Sequence, residues 1–385
     1  MCPITTDLSR ADPKITDHSG GRLTIDLDAI ADNWRMLAKL ASHEDGSGAC
    51  AGVVKGNAYG LGLEPVSKAL WNAGCRTFFV ALPQEAFELR GYLSEAAIYC
   101  LGGLTPGGAK DFTTCDVRPV LNTMEEVQEW ASTGSQHLAA LHVDTGMTRL
   151  GLALEETEAL ASNKALMGQL HLSHVMSHLA CADTPDHPLN DQQIENFARV
   201  RALFPDIAGS LANSPGTLQD ARFRHDLARP GIAIYGGQSM VPAPIKLNPV
   251  IRLEARVMQI RSAKAGAAVG YGAARTLDRD SRIAVLGVGY ADGYHRLVGN
   301  TDDTETLRPH VRFNGRAAPL VGRVSMDLIA VDVTEPDFDD LRPGMFVTMI
   351  DETITVDVVA GWANTIGYEV LTGLGQRYAR TYVGS

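Results

Sequence analysis

From about residue 50 to 236, apolar positions come in short, nearly unbroken runs with amphipathic stretches between them. The runs CAGVVK, TFFVAL, AIYCLG, VRPVLN, LAALHVD, LSHVMSHL, AGSLANS and LARPGIAIYG predict eight strands. Strands with little polar alternation are buried on both faces, as in a parallel sheet covered by helices. EPVSKALWNAGC, MEEVQEWASTG and LNDQQIENFARVRALF repeat their apolar residues near i, i+3 and i+4, which predicts those helices. Eight such units over this length favour a TIM-type (β/α)8 barrel over an open doubly wound sheet. Ahead of the first barrel strand, LTIDLDAIADNWRMLAKLA predicts one further strand and helix, with Asp28 as N-cap.

The pattern changes after about residue 247. VIRLEARVMQIRSA, SRIAVLGVGYADG, HVRFNGRAAPLVGRVSMDLIAVDV and MFVTMI are β-branched runs joined by glycine-rich turns. They predict a second, mostly antiparallel β domain. TEPDFDDLRPGM reads as a connecting loop within it. The expected organisation is α/β: a barrel over 24–246 and a C-terminal β domain over 247–385, with residues 1–23 flanking that β domain.

Composition narrows the partners. With Lys+Arg 34 against Asp+Glu 45, the net charge is −11. Such a chain is a poor electrostatic match for nucleic acid or anionic lipid. No apolar stretch approaches the roughly 20 residues that span a bilayer. MCPITTDLSRADPKITDHSG lacks the apolar core of a secretory signal. Six scattered cysteines without a CxxC pair suggest free thiols and a cytoplasmic location.

On a barrel of this kind, chemistry collects at the C-terminal ends of the strands. Lys55 ends the first one, in GVVKGNAYGLG. Its useful chemistry there is as an amine that forms a Schiff base. On position alone, a surface lysine is the commoner explanation. The seventh strand runs into ANSPGTL, where Ser214 and neighbouring N–H groups can meet an anion, and the eighth contains Gly231, which admits close backbone approach. Barrel phosphate sites often follow strands seven and eight. A lysine together with a phosphate cradle points to a phosphorylated aldehyde cofactor, pyridoxal 5′-phosphate (PLP).

VVKGNAYGLG, VDTGMTRLG, SHLACAD, ANSPGTL, RPGIAIYG, VGYGAARTL, GYADGYHR, VGRVSMD and IGYEVLTGLGQRYARTY follow one another in the order seen in alanine racemases. Over roughly residues 24 to 382 the chain resembles that PLP-dependent family. The resemblance implies a two-base racemase interconverting L-alanine and D-alanine, supplying D-alanine for peptidoglycan. Lys55 would hold the cofactor and act as base on one face of the α-carbon. Tyr271, supplied by a partner subunit, would act on the other, which implies a homodimer with shared active sites. A phenol needs nearby positive charge to ionise near neutrality, and His178 and Arg229 are the candidates. Arg229 would donate to the pyridine nitrogen. Tyr59, Ser214, Tyr368 and the backbone of Gly231 and Ile232 would bind phosphate. His178 would pack its ring against the cofactor. Arg149 would contact the cofactor's phenolic oxygen and the substrate carboxylate. The backbone of Met326 would bind the same carboxylate, and Tyr290 would line the substrate pocket.

Three positions depart from the family pattern. His142 stands where many members have a lysine that becomes carbamylated, so Arg149 must be oriented by something else: a histidine, or a bound anion such as chloride. Leu61 and Ser325 replace a common histidine and a common cysteine. HLSHVMSHLACAD holds His171, His174, His178 and Cys181, but the spacing fits no zinc pattern, so no metal is expected. A basic amino acid decarboxylase of the same architecture would pair the pyridine nitrogen with a carboxylate, and Arg229 argues against it. A racemase of other specificity and a PLP carrier without turnover are the remaining alternatives. A carrier needs neither a second base nor the C-terminal domain.

Overall fold

The computed structural model describes residues 18–43, 46–134, 136–240, 244–300 and 308–384. β1 (Gly21–Asp26) leads directly into α1 (Leu27–Ala41). Leu27, Ile30, Trp34 and Leu37 recur on one face of α1 and are buried. The N-cap is Asp26, not the expected Asp28, which falls in the first turn. The Asp26 carboxylate accepts the Ala29 N–H at 2.9 Å.

The barrel follows. β2 comes in two pieces, Ala49–Cys50 and Gly52–Val53. Next come α2 (Leu63–Asn72), β3 (Thr77–Val80), α3 (Pro83–Tyr92), β4 (Ala97–Cys100), α4 (Ala109–Thr114), β5 (Arg118–Leu121) and α5 (Met124–Ser132). β6 (Ala139–His142), α6 (Leu154–Ser162), α7 (Lys164–Met167), β7 (Leu172–Met176), α8 (Leu189–Leu203), β8 (Ala208–Ser210), α9 (Ser214–Gln219) and β9 (Leu227–Ala228) complete it. From the second piece of β2 to β8, seven strands run parallel in sequence order. β9 closes the barrel by pairing Leu227 with Ala49 and Ala228 with Cys50. On its other side, the Asp226 backbone N–H donates to Gly209 O at 3.0 Å and the Arg229 backbone N–H to Ala212 O at 2.9 Å. The expected eighth strand LARPGIAIYG is therefore strand only at its start. Pro230 has no N–H to donate, and Ile232–Tyr235 forms a 3₁₀ turn.

Apolar strand residues fill the barrel. Phe79 and Tyr99 stack at 4.9 Å, and His174 meets Tyr99 edge-on at 4.9 Å. A polar chain crosses this interior: Arg118 donates to the Tyr99 hydroxyl at 2.8 Å, and Tyr99 to Ser173 Oγ at 2.9 Å.

The second sheet is built from β10 (Ile251–Ala263), β13 (Ser281–Leu286), β14 (His310–Phe313), β15 (Arg316–Pro319), β16 (Ile329–Asp332), β17 (Phe346–Ile350), β18 (Ala379–Val383) and β1. β11 (Ala268–Val269) and β12 (Arg275–Thr276) form a separate antiparallel ribbon. The pairing of β10 with β13 and β17, of β13 with β16, and of β14 with β15 and β17 is antiparallel. Two helices, α10 (Val356–Trp362) and α11 (Gly367–Gly373), follow β17. Two compact units emerge, interleaved in sequence. One gathers Ile25–Ile251, Glu352–Leu374 and the chain from Tyr382. The other gathers, among the described residues, 18–24, Arg252–Asp351 and Gly375–Thr381. Thus α10 and α11, inside the stretch expected to be a β domain, lie with the barrel. Asp357 anchors α10 there by accepting the Gln238 N–H at 2.8 Å.

Candidate active site

Lys55 stands two residues beyond β2, exposed at the barrel mouth. The chain then does something unusual. Gly56, Asn57, Ala58, Tyr59 and Gly60 all have left-handed φ, between 53° and 84°. Asparagine tolerates this region, but alanine and tyrosine reach it only where the surroundings hold them. Asn57 Oδ1 accepts the Leu63 N–H at 2.7 Å. The buried Tyr59 ring stacks on Tyr235 at 4.5 Å, and the Tyr235 hydroxyl donates to Val53 O at 2.9 Å.

The turn brings together eight of the residues singled out in the sequence. Lys55, Tyr59, His178, Ser214, Arg229, Gly231, Ile232 and Tyr368 line one cavity. Val53, Phe79, Leu101 and Asn213 also line it, and among the described residues no lining residue is a carboxylate. Ser214 opens α9, and its Oγ accepts from Gly231 N at 2.8 Å and Ala233 N at 3.3 Å. Gly231 is required by space: an added Cβ would lie 2.1 Å from the Tyr59 hydroxyl oxygen.

Arg229 is buried, with its guanidinium held by neutral oxygens. It donates to Ser210 Oγ and, at 2.5 Å, to Ser177 O. Burial alone pulls it down to about 9. A cation in this setting suits a ligand that brings its own acceptor or negative charge. Burial, then Arg229, Arg149 and Lys55, hold His178 well below the usual imidazole range. His178 is therefore neutral near pH 7 and does not provide the positive charge considered for it.

Arg149 lies exposed in the loop after β6. Asp144 builds that loop by accepting N–H groups of Gly146, Met147 and Thr148 at 2.8–2.9 Å. Arg149 is near enough to Lys55 that its charge helps hold the amine below its ordinary value, second to desolvation. His142, at the end of β6, bonds through Nδ1 to Asn122 Oδ1 at 2.8 Å. The Asn122 amide donates to Leu101 O and Val120 O, so its oxygen must be the acceptor. His142 Nδ1 therefore carries the hydrogen, and Nε2 is left as an acceptor.

Tyr271, Tyr290 and Met326 lie in the other unit. Tyr271 opens a 3₁₀ turn between Gly270 and Gly272, both with φ of 72°, and is 72% exposed. Tyr290 and Met326 sit in adjoining turns: Tyr290 N donates to Ser325 O at 3.0 Å and Ala291 N to Met326 O at 2.9 Å. Behind them the buried Asp292 takes a bidentate bond from Arg377 at 2.7 and 2.8 Å, and Arg377 also reaches Asp327 at 2.8 Å. The pairing of Asp292 with Arg377 was not evident in the sequence, although both residues lie in motifs noted there.

The alanine racemase N-terminal domain model matches residues 25–239, and the C-terminal domain model matches 250–382. The chain belongs to the alanine racemase family. It is 45% identical over 372 residues to the alanine racemase of Methylobacterium sp. (strain 4-46), covering 96% of this chain and 99% of that one. To the alanine racemase of Rhizobium meliloti (strain 1021) it is 43% identical over 373 residues, 95% and 97% of the two chains. Among solved structures, that of alanine racemase from Bartonella henselae with covalently bound pyridoxal phosphate superimposes with a TM-score of 0.88 at 36% identity. The match covers 95% of this chain and all of that one. Alanine racemases are isomerases, so this chain is an amino-acid racemase by family, with the expected barrel and β domain.

Proposed function

We propose that this chain interconverts L-alanine and D-alanine with PLP bound in the cavity at Lys55, and that Lys55 and Tyr271 are its two bases. The observation that carries the reading is the lining itself: one lysine amine, a buried arginine held by Ser210 Oγ and Ser177 O, a serine–glycine cradle and, among the described residues, no carboxylate. That donor set fits a phosphorylated aldehyde. When bound, PLP supplies an electron sink that makes the substrate Cα–H acidic enough to remove. Lys55 holds the cofactor, and its amine then takes or delivers the α-proton on one face. Tyr271 of the partner does so on the other. Arg229 would donate to the pyridine nitrogen while keeping its own proton, which would leave the ring a weaker electron sink than a pyridinium.

Tyr59, Ser214, Tyr368 and the N–H groups of Gly231 and Ile232 take the phosphate, and the neutral His178 ring packs against the cofactor. Arg149 and the Met326 N–H bind the substrate carboxylate, and Tyr290 lines the pocket. The enzyme works as a homodimer with shared sites in the cytoplasm and supplies D-alanine for peptidoglycan. The test is a chiral product assay in which purified protein with PLP receives single L- and D-amino acids. Alanine should be racemised in both directions, and serine, lysine and arginine hardly at all. Bound cofactor with no racemisation of any amino acid overturns the reading.

A further inference from the structure

The left-handed turn after Lys55 has an anchor outside the cavity. Glu85 lies in the first turn of α3, and one carboxylate accepts four backbone N–H groups. Oε1 takes Gly56 at 2.6 Å and Asn57 at 3.4 Å. Oε2 takes Ala81 at 2.9 Å and Leu82 at 3.2 Å. The first pair begins the turn that Lys55 enters; the second lies between the end of β3 and the start of α3. One side chain thus ties two neighbouring strand ends together. The turn needs such a tie, since each non-glycine residue in left-handed backbone costs on the order of 1 kcal/mol or more.

We propose that Glu85 is the positioning residue of Lys55: by clamping the Gly56 and Asn57 N–H groups to the head of α3, it fixes where the amine stands. This rests on Lys55 being the cofactor lysine. The negative charge has a second consequence. Lys55 is faced by Arg149 and His178 from the loops after β6 and β7, and shares the cavity with Tyr59, Arg229 and Tyr368. Desolvation and Arg149 hold the amine below its ordinary value, while Glu85 pulls it back up. Glu85 thereby opposes the neutral amine that attacks an aldehyde, in exchange for holding it in place.

Stopped-flow capture of PLP by the full-length apoprotein, followed through the visible absorbance of the bound cofactor against pH, separates these effects. The wild type should capture PLP and Lys55→Ala should not; if both give the same band, the assignment of Lys55 fails, whatever Glu85 does. With that established, Glu85→Gln should slow capture at its pH plateau roughly tenfold, because a displaced amine loses its line of attack. It should also move the pH midpoint down by roughly half a unit, because a nearby negative charge is gone. Glu85→Asp keeps the charge on a shorter stem, and should slow capture while leaving the midpoint near that of the wild type. Should Glu85→Gln not fold, the slowed plateau of Glu85→Asp carries the test. Either variant capturing PLP at the wild-type rate and midpoint overturns the proposal, even if its melting temperature falls, because the clamp would then serve only the fold.

Discussion

Gly231 and Tyr59 are in such close approach that the smallest side chain at the glycine would overlap the tyrosine hydroxyl, at 2.1 Å from its oxygen. The backbone adds to the constraint, since Gly231 at φ −119° and ψ −90° lies outside the α and β regions that other residues favour. Tyr59 cannot easily yield, because its ring is stacked on Tyr235. Gly231→Ala should therefore distort the cradle rather than the barrel. Overpacking of this kind costs about 1–3 kcal/mol, so PLP should bind the apoprotein at least about fivefold more weakly. Fluorescence titration with PLP checks this. Unchanged affinity would mean that Gly231 and Tyr59 do not form the phosphate end of the site.

Acid should destabilise the apoprotein through its buried imidazoles. His142 is pulled down to about 4 by burial, with Arg229 and Arg149 adding to the shift, and His174 to about 3 by burial, Arg229 and Arg118. Unfolded, each titrates near 6.5. Below that pH the unfolded chain takes up protons that the folded chain refuses, so stability is intact above about 6.5 and falls as pH drops towards the folded values. By pH 5 each histidine should have cost on the order of 2 kcal/mol. Urea unfolding of the apoprotein between pH 7 and 5 measures the slope. His142→Asn keeps a donor for Asn122 and cannot titrate, so it should flatten the slope by close to one proton. An unchanged slope would mean that His142 is already charged in the fold.

The barrel strands were legible because each is a short apolar run, and Lys55, Ser214 and Gly231 could be placed at strand ends from that pattern. Tyr59, His178, Arg229, Ile232 and Tyr368 came only with the family resemblance. The errors arose where the chain offers two equal choices or where distant packing decides. IDLDAI places two aspartates a step apart, and only the continuation of β1 through Asp26 makes that one the cap. TVDVVAGWANTIGYEV is rich in β-branched residues and reads as part of a β domain, yet it forms α10 and α11 beside the barrel, held through Asp357 and Gln238. Glu85 was invisible as a partner of Lys55 because 29 residues separate it from Gly56, and its appearance in the sequence is that of an ordinary first-turn helix acid.

The Asp292–Arg377 pair, 85 residues apart, should support both stability and substrate binding. Asp292 is buried and also accepts the Gly289 N–H at 2.9 Å, so its loss strands a backbone donor as well as the guanidinium. Arg377 is half exposed, which keeps the cost of Asp292→Ala to about 2 kcal/mol, below that of a fully buried pair. The turns carrying Tyr290 and Met326 are bonded to each other just in front, so the same variant should raise the KM for alanine more than it lowers kcat. Denaturant unfolding and steady-state kinetics read the two effects separately. A stability loss with unchanged KM would confine the pair to the fold.

The shared-site reading makes a prediction about mixtures. Tyr271 is 72% exposed on a turn between two left-handed glycines, and Met326 and Tyr290 are 53% and 40% exposed. Side chains this exposed are accessible to a second subunit, as a shared site requires. Lys55→Ala and Tyr271→Phe homodimers should each be nearly inactive, since every site lacks one base. Unfolded together at equal amounts and refolded, half the dimers should be mixed, and one of the two sites in each mixed dimer regains both Lys55 and Tyr271. Activity should recover to about a quarter of the wild-type value. Differently tagged subunits, purified in tandem, establish that mixing has occurred. No recovery in proven mixed dimers would place Tyr271 on the same subunit as the Lys55 it serves, or outside the reaction altogether.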